Sequence, residues 1–223
     1  MAEVPCALCG EPILKHPDDP EMVCSDEHVV AKQFYPESIR RELRSPLWTV
    51  PSHKMCNNGI KPDEEYFYHR YYPLVSMRNP TMGQVLLDDL TRRAKKPQSR
   101  VMIRHLLKDC KYETPGGILL PPTGLVWVGQ NVFRIQSVGV KIAQCLFYKD
   151  YSRFVPRKNF DHWEMVEEVD RLQPLFADLC QTEPKAVDPR VFCYWDGELD
   201  GCHYYSMLFW CAFMFCMSFR NPE

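Results

Sequence analysis

The sequence predicts an α+β protein in which a small N-terminal module of two strands and a helix, residues 1–72, precedes a mixed helical and β region, residues 73–223. The first observation behind this is a pair of short cysteine and histidine motifs that bracket a strand–strand–helix pattern. The second is the alternation of helical and strand-like hydrophobic patterns after that module. The third is composition: 223 residues, 45% of them hydrophobic and 25% charged, are enough to bury a substantial core.

Composition also limits the function classes. The N-terminus has no basic segment followed by an apolar one, so no secretory signal is expected and a cytoplasmic location is predicted. The 11 cysteines are then better interpreted as thiols and metal ligands than as disulfides. The most apolar run, residues 207–219, is shorter than the ~20 residues that a membrane span needs, so no membrane partner is expected.

Four residues have the spacing of a complete zinc site. Cys6 and Cys9 are separated by two residues, and Gly10 permits the tight turn that points two thiolates at one ion. His53 and Cys56 repeat the same spacing. Three sulfurs and one nitrogen close a tetrahedral set, which is typical of a structural Zn²⁺ rather than a catalytic one.

The segment between these two ligand pairs is expected to hold two short strands. Residues 11–21 are polar and contain three prolines, which predicts a loop. Residues 23–32 predict a strand, in which Cys24 lacks a partner at ligand spacing and is expected to be a buried thiol. Residues 36–44 predict one or two helical turns, and residues 47–50 a second strand that stops at Pro51.

A helix is expected to complete the module. Residues 57–62 are typical of a turn into a helix, with Pro62 in the first helical turn. Asp63, Glu64 and Glu65 favour the positive end of a helix that runs to about Tyr72.

The second region is expected to mix helices and strands, without an internal repeat or a long linker. Helices are predicted at residues 81–96, 99–108, 136–149 and 160–181, with Pro97 separating the first two. Strands are predicted at residues 118–120, 125–128 and 191–195, followed by one or two buried strands between residues 204 and 219. This region is therefore expected to pack against the module.

Three stretches of the module resemble the HNH endonuclease family. They are EHVVAK at residues 27–32, TVPSHKMCNNG at residues 49–59 and DEEYF at residues 63–67. The resemblance is to the branch that combines a ββα-metal active site with a zinc-stabilised, treble-clef-like scaffold, and more narrowly to stand-alone bacterial HNH proteins. It covers about the first 70 residues.

The resemblance implies a hydrolase that cuts phosphodiester bonds in DNA. His28 matches the family's first histidine, the general base, and Glu27 matches its acidic metal ligand. Asn57 matches the final His or Asn position and would be the second ligand. Glu27 and His28 start on opposite sides of a strand, but at a strand end both can reach one site. Two oxygen ligands suit Mg²⁺ or Mn²⁺, and the implied products carry 5′ phosphate and 3′ hydroxyl ends.

The sequence departs from the family pattern at one position. The family's middle asparagine, which orients the base, corresponds to Trp48, and an indole cannot accept a hydrogen bond from the imidazole. Either a backbone carbonyl orients His28, or activity is reduced. Asn58 adjoins Asn57 and has the same side chain, so Asn58 is an alternative to Asn57 as the second metal ligand.

Basic residues supply possible phosphate contacts, although the net charge of −2 gives no overall bias toward nucleic acid. Lys61 and Arg70 are candidate substrate-binding residues, and a solvated role is the alternative. The same two interpretations apply to a longer basic tract formed by Arg92, Arg93, Lys95, Lys96, Arg100, Arg104, Lys108 and Lys111. Aromatic side chains are expected to pack in the core at Tyr66, Phe67, Tyr71, Tyr72, Tyr204 and Tyr205.

The sequence therefore favours a metal-dependent HNH endonuclease with a structural Zn²⁺ and a catalytic Mg²⁺ or Mn²⁺. The first alternative is a zinc-stabilised module that binds nucleic acid or protein without catalysis, motivated by Trp48. The second is a nuclease effector subunit of a multiprotein antiviral defence or toxin system, held inactive by a protein partner.

Overall fold

The computed structural model describes residues 4–14, 18–93, 131–166 and 171–222, together with residues 95, 104, 110–111 and 126–127. Helices and strands are mixed along these ranges, so the predicted α+β class is confirmed. A group of three cysteines and a histidine near the N-terminus could hold a metal ion.

Two antiparallel strand pairs begin the chain. β1 (Val4–Pro5) pairs with β2 (Pro12–Ile13), and β3 (Cys24–His28) pairs with β4 (Thr49–His53), with α1 (Glu37–Glu42) in the connection between them. Both predicted strands are present with shifted bounds, because β3 ends at His28 rather than at residue 32 and β4 begins at Thr49 rather than at residue 47. The helical turns between them are confirmed.

The predicted stop at Pro51 is wrong, because β4 continues through this residue. Pro51 lies opposite Asp26 in the pair, and its carbonyl accepts a hydrogen bond from Ala7 N at 2.9 Å. A proline is tolerated in a two-stranded pair, where its missing N–H can lie on the side away from the partner strand.

The helix after β4 is longer than predicted at both ends. α2 (Lys54–Arg78) begins directly after His53, whereas the sequence predicts residues 62–72. Pro62 therefore lies inside the helix, where a proline costs about 3 kcal/mol. Burial of an aromatic face that includes Phe67 offsets this cost, so tertiary packing overrides the local signal.

Contacts from a distant residue also support the helix around Pro62. Arg134 donates to the carbonyl of Pro62 at 2.6 Å and to Asp63 Oδ1 at 2.7 Å. Its guanidinium lies 4.7 Å from the ring centroid of Tyr66. None of these contacts is visible in local sequence, since Arg134 is more than 65 residues away.

Acid is expected to destabilise the fold through His69, a buried residue on α2. Burial, assisted by Arg93, lowers the pKa of His69 to about 4, and Glu65 Oε1 at 3.9 Å does not compensate. The unfolded chain binds this proton below pH ~6.5 and the folded chain does not, so stability is present above that pH and is lost as the pH falls toward 4. Between pH 7.5 and 5 the loss should be about 2 kcal/mol.

Urea unfolding at both pH values measures this loss. His69→Gln removes the titrating group, and comparison with the wild type cancels every other ionisation. The wild type should lose about 2 kcal/mol more than His69→Gln between the two pH values. Equal losses in the two proteins would show that His69 does not control the acid response.

Two further helices pack beside α2. α3 (Pro80–Arg93) confirms the helix predicted at residues 81–96, and α4 (Val132–Tyr151) confirms and extends the one at residues 136–149. A short pair of β5 (Cys110–Lys111) and β6 (Val126–Trp127) agrees with part of the predicted strand at residues 125–128. The predictions at residues 99–108 and 118–120, and Pro97, lie outside the described residues, residue 104 excepted.

A five-stranded antiparallel sheet forms the C-terminal half. Its order is β7-β11-β10-β9-β8, formed by β7 (Phe160–Val166), β8 (Lys185–Asp188), β9 (Phe192–Leu199), β10 (Cys202–Phe209) and β11 (Phe213–Arg220). Alternate residues of β11 pack into two clusters: Phe215 joins the main core and Cys216 a second cluster with Phe176. Both faces are covered, which explains why residues 207–219 are apolar without alternation. The predicted buried strands are confirmed.

The helix predicted at residues 160–181 is wrong. The segment forms β7 and then α5 (Pro174–Leu179), which packs under the sheet. β7 pairs with β11, from Val166 opposite Met214 to Phe160 opposite Phe219, so a strand that follows much later in the chain decides its conformation. The helix and strand propensities of this segment alone contain no information about such pairing.

One core joins the two predicted regions. The predicted division between residues 72 and 73 lies inside α2, and the main hydrophobic cluster contains Val29 and Phe34 together with Ile142 and Phe209. No helix among the described residues is both long and apolar enough to cross a membrane. The second region therefore forms part of the support for the first.

The aromatic prediction is confirmed. Tyr66, Phe67, Tyr71 and Tyr205 are buried in the main core. Tyr72 packs against that core, and Tyr204 packs against the second cluster.

The first members of the basic tract make contacts within the fold. Arg92 and Arg93 both pair with buried Asp89, the second at 2.6 Å, and Arg93 also donates to Gln33 O at 2.8 Å. Of the six other members, Lys96, Arg100 and Lys108 lie outside the described residues, and the role of the tract in binding phosphate stays a prediction.

Candidate metal centre and adjoining polar cavity

The structure brings the four predicted zinc ligands together. The ligand atoms of Cys6, Cys9, His53 and Cys56 all lie within 4.8 Å of one another. Cys6 and Cys9 lie in the turn between β1 and β2, His53 ends β4, and Cys56 lies in the first turn of α2. This cluster could hold a metal ion such as Zn²⁺.

Hydrogen bonds orient the histidine for such a role. His53 Nε2 lies 3.3 Å from the carbonyl oxygen of Pro12, and Nδ1 lies 3.4 Å from Cys9 Sγ. A proton on Nε2 would be donated to that carbonyl, which leaves the lone pair of Nδ1 directed toward the sulfurs. Metal-bound histidines usually make a second bond of this kind.

The electrostatics of the cluster favour a bound cation. Burial and the neighbouring thiols Cys6 and Cys9 raise the pKa of Cys56 to about 12, and burial also raises the pKa of Cys9. Three thiolates cannot be held this close without a positive charge. A metal ion supplies that charge and binds the deprotonated sulfurs.

Cys24 is not a buried thiol, and this prediction is wrong. It is exposed at the start of β3, and although it lies opposite His53 in the strand pair it is not part of the metal cluster. Its position at the outer end of a two-stranded pair leaves one side of the strand open to solvent.

The turn of the first ligand pair should not tolerate a side chain at Gly10. This residue has φ +82°, and an added Cβ would lie 2.5 Å from Cδ1 of Phe154. Gly10→Ala should lower the free energy of unfolding by about 2 kcal/mol. Thermal melting and the rate of zinc release to a chelator measure the effect.

Gly59 provides the matched control. It lies inside α2, and an added Cβ would meet nothing within 4 Å. Gly59→Ala should therefore raise stability by about 0.5–1 kcal/mol, because alanine is the better helix former. Equal destabilisation by both substitutions would contradict the role of the Gly10 turn.

A cavity of about 260 Å³, lined mainly by polar residues, lies between the end of β3 and the first turns of α2. It is lined by Glu27, His28, Ala31, Lys32, Gln33, Asn57, Lys61, Glu64 and Glu65. The three predicted catalytic residues, Glu27, His28 and Asn57, are thus brought together.

The strand pair and the helix position these three side chains. Glu27 and His28 are the last two residues of β3, and Asn57 lies in the first turns of α2, which continues directly from β4. Asn57 Nδ2 donates to Ser25 Oγ at 3.1 Å and to Asp26 O at 3.3 Å. These bonds tie the start of α2 to β3.

Glu27 is buried, and one of its two carboxylate oxygens is paired. Its Oε1 lies 2.6 Å from the ammonium of Lys141, whereas its Oε2 is buried and has no hydrogen-bond partner among the described residues. Burial raises the pKa of Glu27, and Lys141 opposes that shift. Burial lowers the pKa of Lys141, but Glu64 and the other nearby acidic groups outweigh it and raise the pKa above its ordinary value.

His28 is half-buried and is held in its neutral form. Burial lowers the pKa of His28, and the positive charges of Lys141 and Lys32 lower it further, against the opposing effect of Asp26. Its Nδ1 is buried without a hydrogen-bond partner in the described part of the chain. No backbone carbonyl described here takes the orienting role.

Trp48 connects the segment that follows β3 with the five-stranded sheet. Its carbonyl accepts from Val29 N at 2.9 Å, and its ring packs edge-on to Tyr194 with 5.9 Å between centroids. The ammonium of Lys149 lies 4.4 Å from the Trp48 ring centroid. The ring therefore packs against residues of the C-terminal half.

Of the remaining predicted residues, Lys61 lines the cavity, and Asn58 and Arg70 do not. Lys61 lines the cavity, whereas Asn58 is exposed, accepts from Lys61 Nζ at 2.8 Å and does not line it. Asn57 is thus the better placed of the two asparagines. Arg70 is not a lining residue, since it lies nine positions beyond Lys61 on α2, or roughly 13 Å along the helix.

Five polar residues that lie at or beneath the cavity were not predicted from the sequence. Two features of the sequence indicate some of these residues. These five are Lys32, Gln33, Glu64, Glu65 and Lys141. Residues 57, 61, 64 and 65 share one helical face, which is evident once the helix begins at residue 54. Lys141 is a single charge within the apolar stretch of residues 138–143.

No protein-family model, no curated protein and no solved structure matches the chain.

Proposed function

We propose that the chain is a metal-dependent endonuclease of the HNH type that hydrolyses phosphodiester bonds in DNA. The observation that supports this is the convergence of Glu27, His28 and Asn57 on one polar cavity. The strand–strand–helix order of β3, β4 and α2, with the metal cluster at its base, also agrees with the resemblance.

The residues present fit a divalent cation. Oε2 of Glu27 is a buried carboxylate oxygen that lacks a hydrogen-bond partner among the described residues, and the amide of Asn57, which lines the same cavity, offers a second oxygen. Carboxylate and amide oxygens suit Mg²⁺ or Mn²⁺, which keep several water ligands. When bound, such an ion would stabilise the negative charge that develops on the departing 3′ oxygen.

His28 is the general base in this proposal. Its neutral imidazole accepts a proton from the attacking water, and the lowered pKa of His28 keeps that form populated near pH 7. Lys32 and Lys61 line the same cavity and provide positive charge for the phosphates on either side of the scissile bond. Attack on phosphorus with loss of the 3′ oxygen leaves a 5′ phosphate and a 3′ hydroxyl.

Plasmid cleavage tests the proposal. Supercoiled DNA is incubated with purified protein and Mg²⁺, Mn²⁺ or Ca²⁺, with a chelator as the blank and single-stranded RNA as a competing substrate. Nicked and linear DNA should accumulate with Mg²⁺ or Mn²⁺, and end-labelling should detect 5′ phosphates. Retarded migration of intact DNA under every metal condition would overturn catalysis.

A second candidate is a zinc-stabilised module that binds nucleic acid without cutting it. Two observations favour it: Oε1 of Glu27 is already paired with Lys141, and Nδ1 of His28 lacks an orienting partner in the described residues. DNA binding that persists after removal of Mg²⁺, without cleavage, would distinguish this candidate from the nuclease.

A further inference from the structure

The ammonium group of Lys141 lies directly beneath the strand end that carries Glu27 and His28. Lys141 is fully buried on α4, and its Nζ is 2.6 Å from Glu27 Oε1 and 2.8 Å from Glu64 Oε1. It also donates to the carbonyl of His28 and, at 3.3 Å, to that of Val29. Its contacts thus hold one predicted catalytic side chain and the main chain of another.

Packing stability does not account for a charge at this position. Transferring an ammonium from water into the interior costs several kcal/mol, and apolar residues of similar volume often replace a buried ion pair without loss of stability. The neighbours of Lys141 on α4 include Val138 and Ile142, which are buried in the main core. A methionine would fill the same space, but it could not hold a carboxylate.

The charges around Lys141 also suit a weakly held cation. Glu27 and Glu64 carry two negative charges, and Lys141 neutralises one of them, which leaves one for a divalent ion. The ammonium engages Oε1 of Glu27, and Oε2 is the oxygen without a described partner. One oxygen of the carboxylate is thus fixed by the protein while the other is available.

We propose that Lys141 is a positioning residue of this site: its ammonium fixes the Glu27 carboxylate and the His28 main chain so that Glu27 Oε2 is presented to the divalent cation. The inference rests on the proposed nuclease function and deepens it. It also makes α4, from the C-terminal half of the chain, part of the active site. Groups that orient metal ligands typically change metal affinity or activity 10–100-fold when removed.

A charge-matched double substitution tests this role. Lys141→Met combined with Glu64→Gln removes one positive and one negative charge, so the net charge of the cluster is unchanged. Mn²⁺ binding is measured from the electron paramagnetic resonance signal of free Mn²⁺, which does not require catalysis. The double variant should bind Mn²⁺ and cleave DNA about 10–100-fold more weakly, while its zinc content stays close to that of the wild type.

Two reference variants isolate the effect of Lys141. In Glu64→Gln alone, Lys141 still contacts Glu27, so the contribution of Lys141 is the difference between this variant and the double variant. Lys149→Met removes a lysine two turns later on the same helix that does not line the cavity. It should retain Mn²⁺ affinity within about twofold. A double variant that matches Glu64→Gln in both Mn²⁺ affinity and cleavage would overturn the proposal.

The wild type provides a test if the double variant does not fold. Lys141 is the lysine that is fully buried among the described residues, so its ¹⁵N-labelled ammonium should exchange slowly and give a distinct signal. Substoichiometric Mn²⁺ should broaden this signal, and an unchanged signal at Mn²⁺ concentrations that support cleavage would overturn the role of Lys141. A wild type that neither binds Mn²⁺ nor cleaves DNA would instead remove the proposed function itself.

Discussion

Replacing His28 with alanine is expected to lower metal-dependent DNA cleavage by roughly 10²–10⁴-fold, the usual contribution of a general base. The imidazole lines the cavity, its lowered pKa keeps it able to accept a proton near pH 7, and no other histidine lines the cavity among the described residues. Initial rates of plasmid nicking at saturating Mn²⁺ measure the effect. The loss should appear in kcat, because the proposed cation ligands Glu27 and Asn57 are retained.

A matched histidine variant controls for nonspecific damage. His162 lies on β7 of the C-terminal sheet, is partly exposed and does not line the cavity. His162→Ala should cleave at nearly the wild-type rate. His28→Ala should also keep the wild-type zinc content and melting temperature, since its Nδ1 contributes no described hydrogen bond to the fold. Cleavage by His28→Ala at the wild-type rate would refute its role as the base.

Cys56→Ser is expected to remove the bound metal and to destabilise the chain. Cys56 lies in the first turn of α2 and Cys6 in the turn between β1 and β2, so a metal ion held by the cluster would join these two segments. Loss of a structural metal should cost on the order of 4 kcal/mol. For a chain of this length that corresponds to a melting temperature lower by roughly 8–16 °C. Elemental analysis should find one zinc per wild-type chain and much less in the variant.

Cys24→Ser is the control for this prediction. Cys24 is exposed and lies outside the cluster, so its replacement should leave zinc content unchanged and alter stability by less than about 0.5 kcal/mol. If Cys24→Ser loses zinc while Cys56→Ser retains it, the four-residue cluster is not the metal site.

The sequence predicts which residues come together at the candidate site more accurately than it predicts where the helices and strands begin and end. The spacing of Cys6 to Cys9 and of His53 to Cys56 is a local property, because each pair is shaped by one tight turn or one helical turn. The start of α2 was placed eight residues too late because Pro62 is a strong local signal. Contacts from Arg134 and burial of the aromatic face outweigh that signal.

The strand at residues 160–166 illustrates the same limit. Its sequence is compatible with a helix, and it becomes β7 because β11 offers an edge on which it can pair. The turn after β10 is another example: Trp210 has φ +50° and is fully buried, with Nε1 donating to Phe34 O at 3.0 Å. A buried anchor in the opposite half of the protein supports this backbone conformation.

The sequence by itself determined the two pairs of candidate metal ligands, the order of short strands around Glu27 and His28, and the apolar strands near the C-terminus. These features depend on spacing and periodicity within about ten residues, which local geometry converts directly into structure. Only the tertiary structure decided that Lys141 lies beneath Glu27, that Glu64 joins Asn57 at the cavity, and that Trp48 packs against Tyr194. Such contacts depend on which faces of distant elements meet, and the burial of the whole core selects those faces.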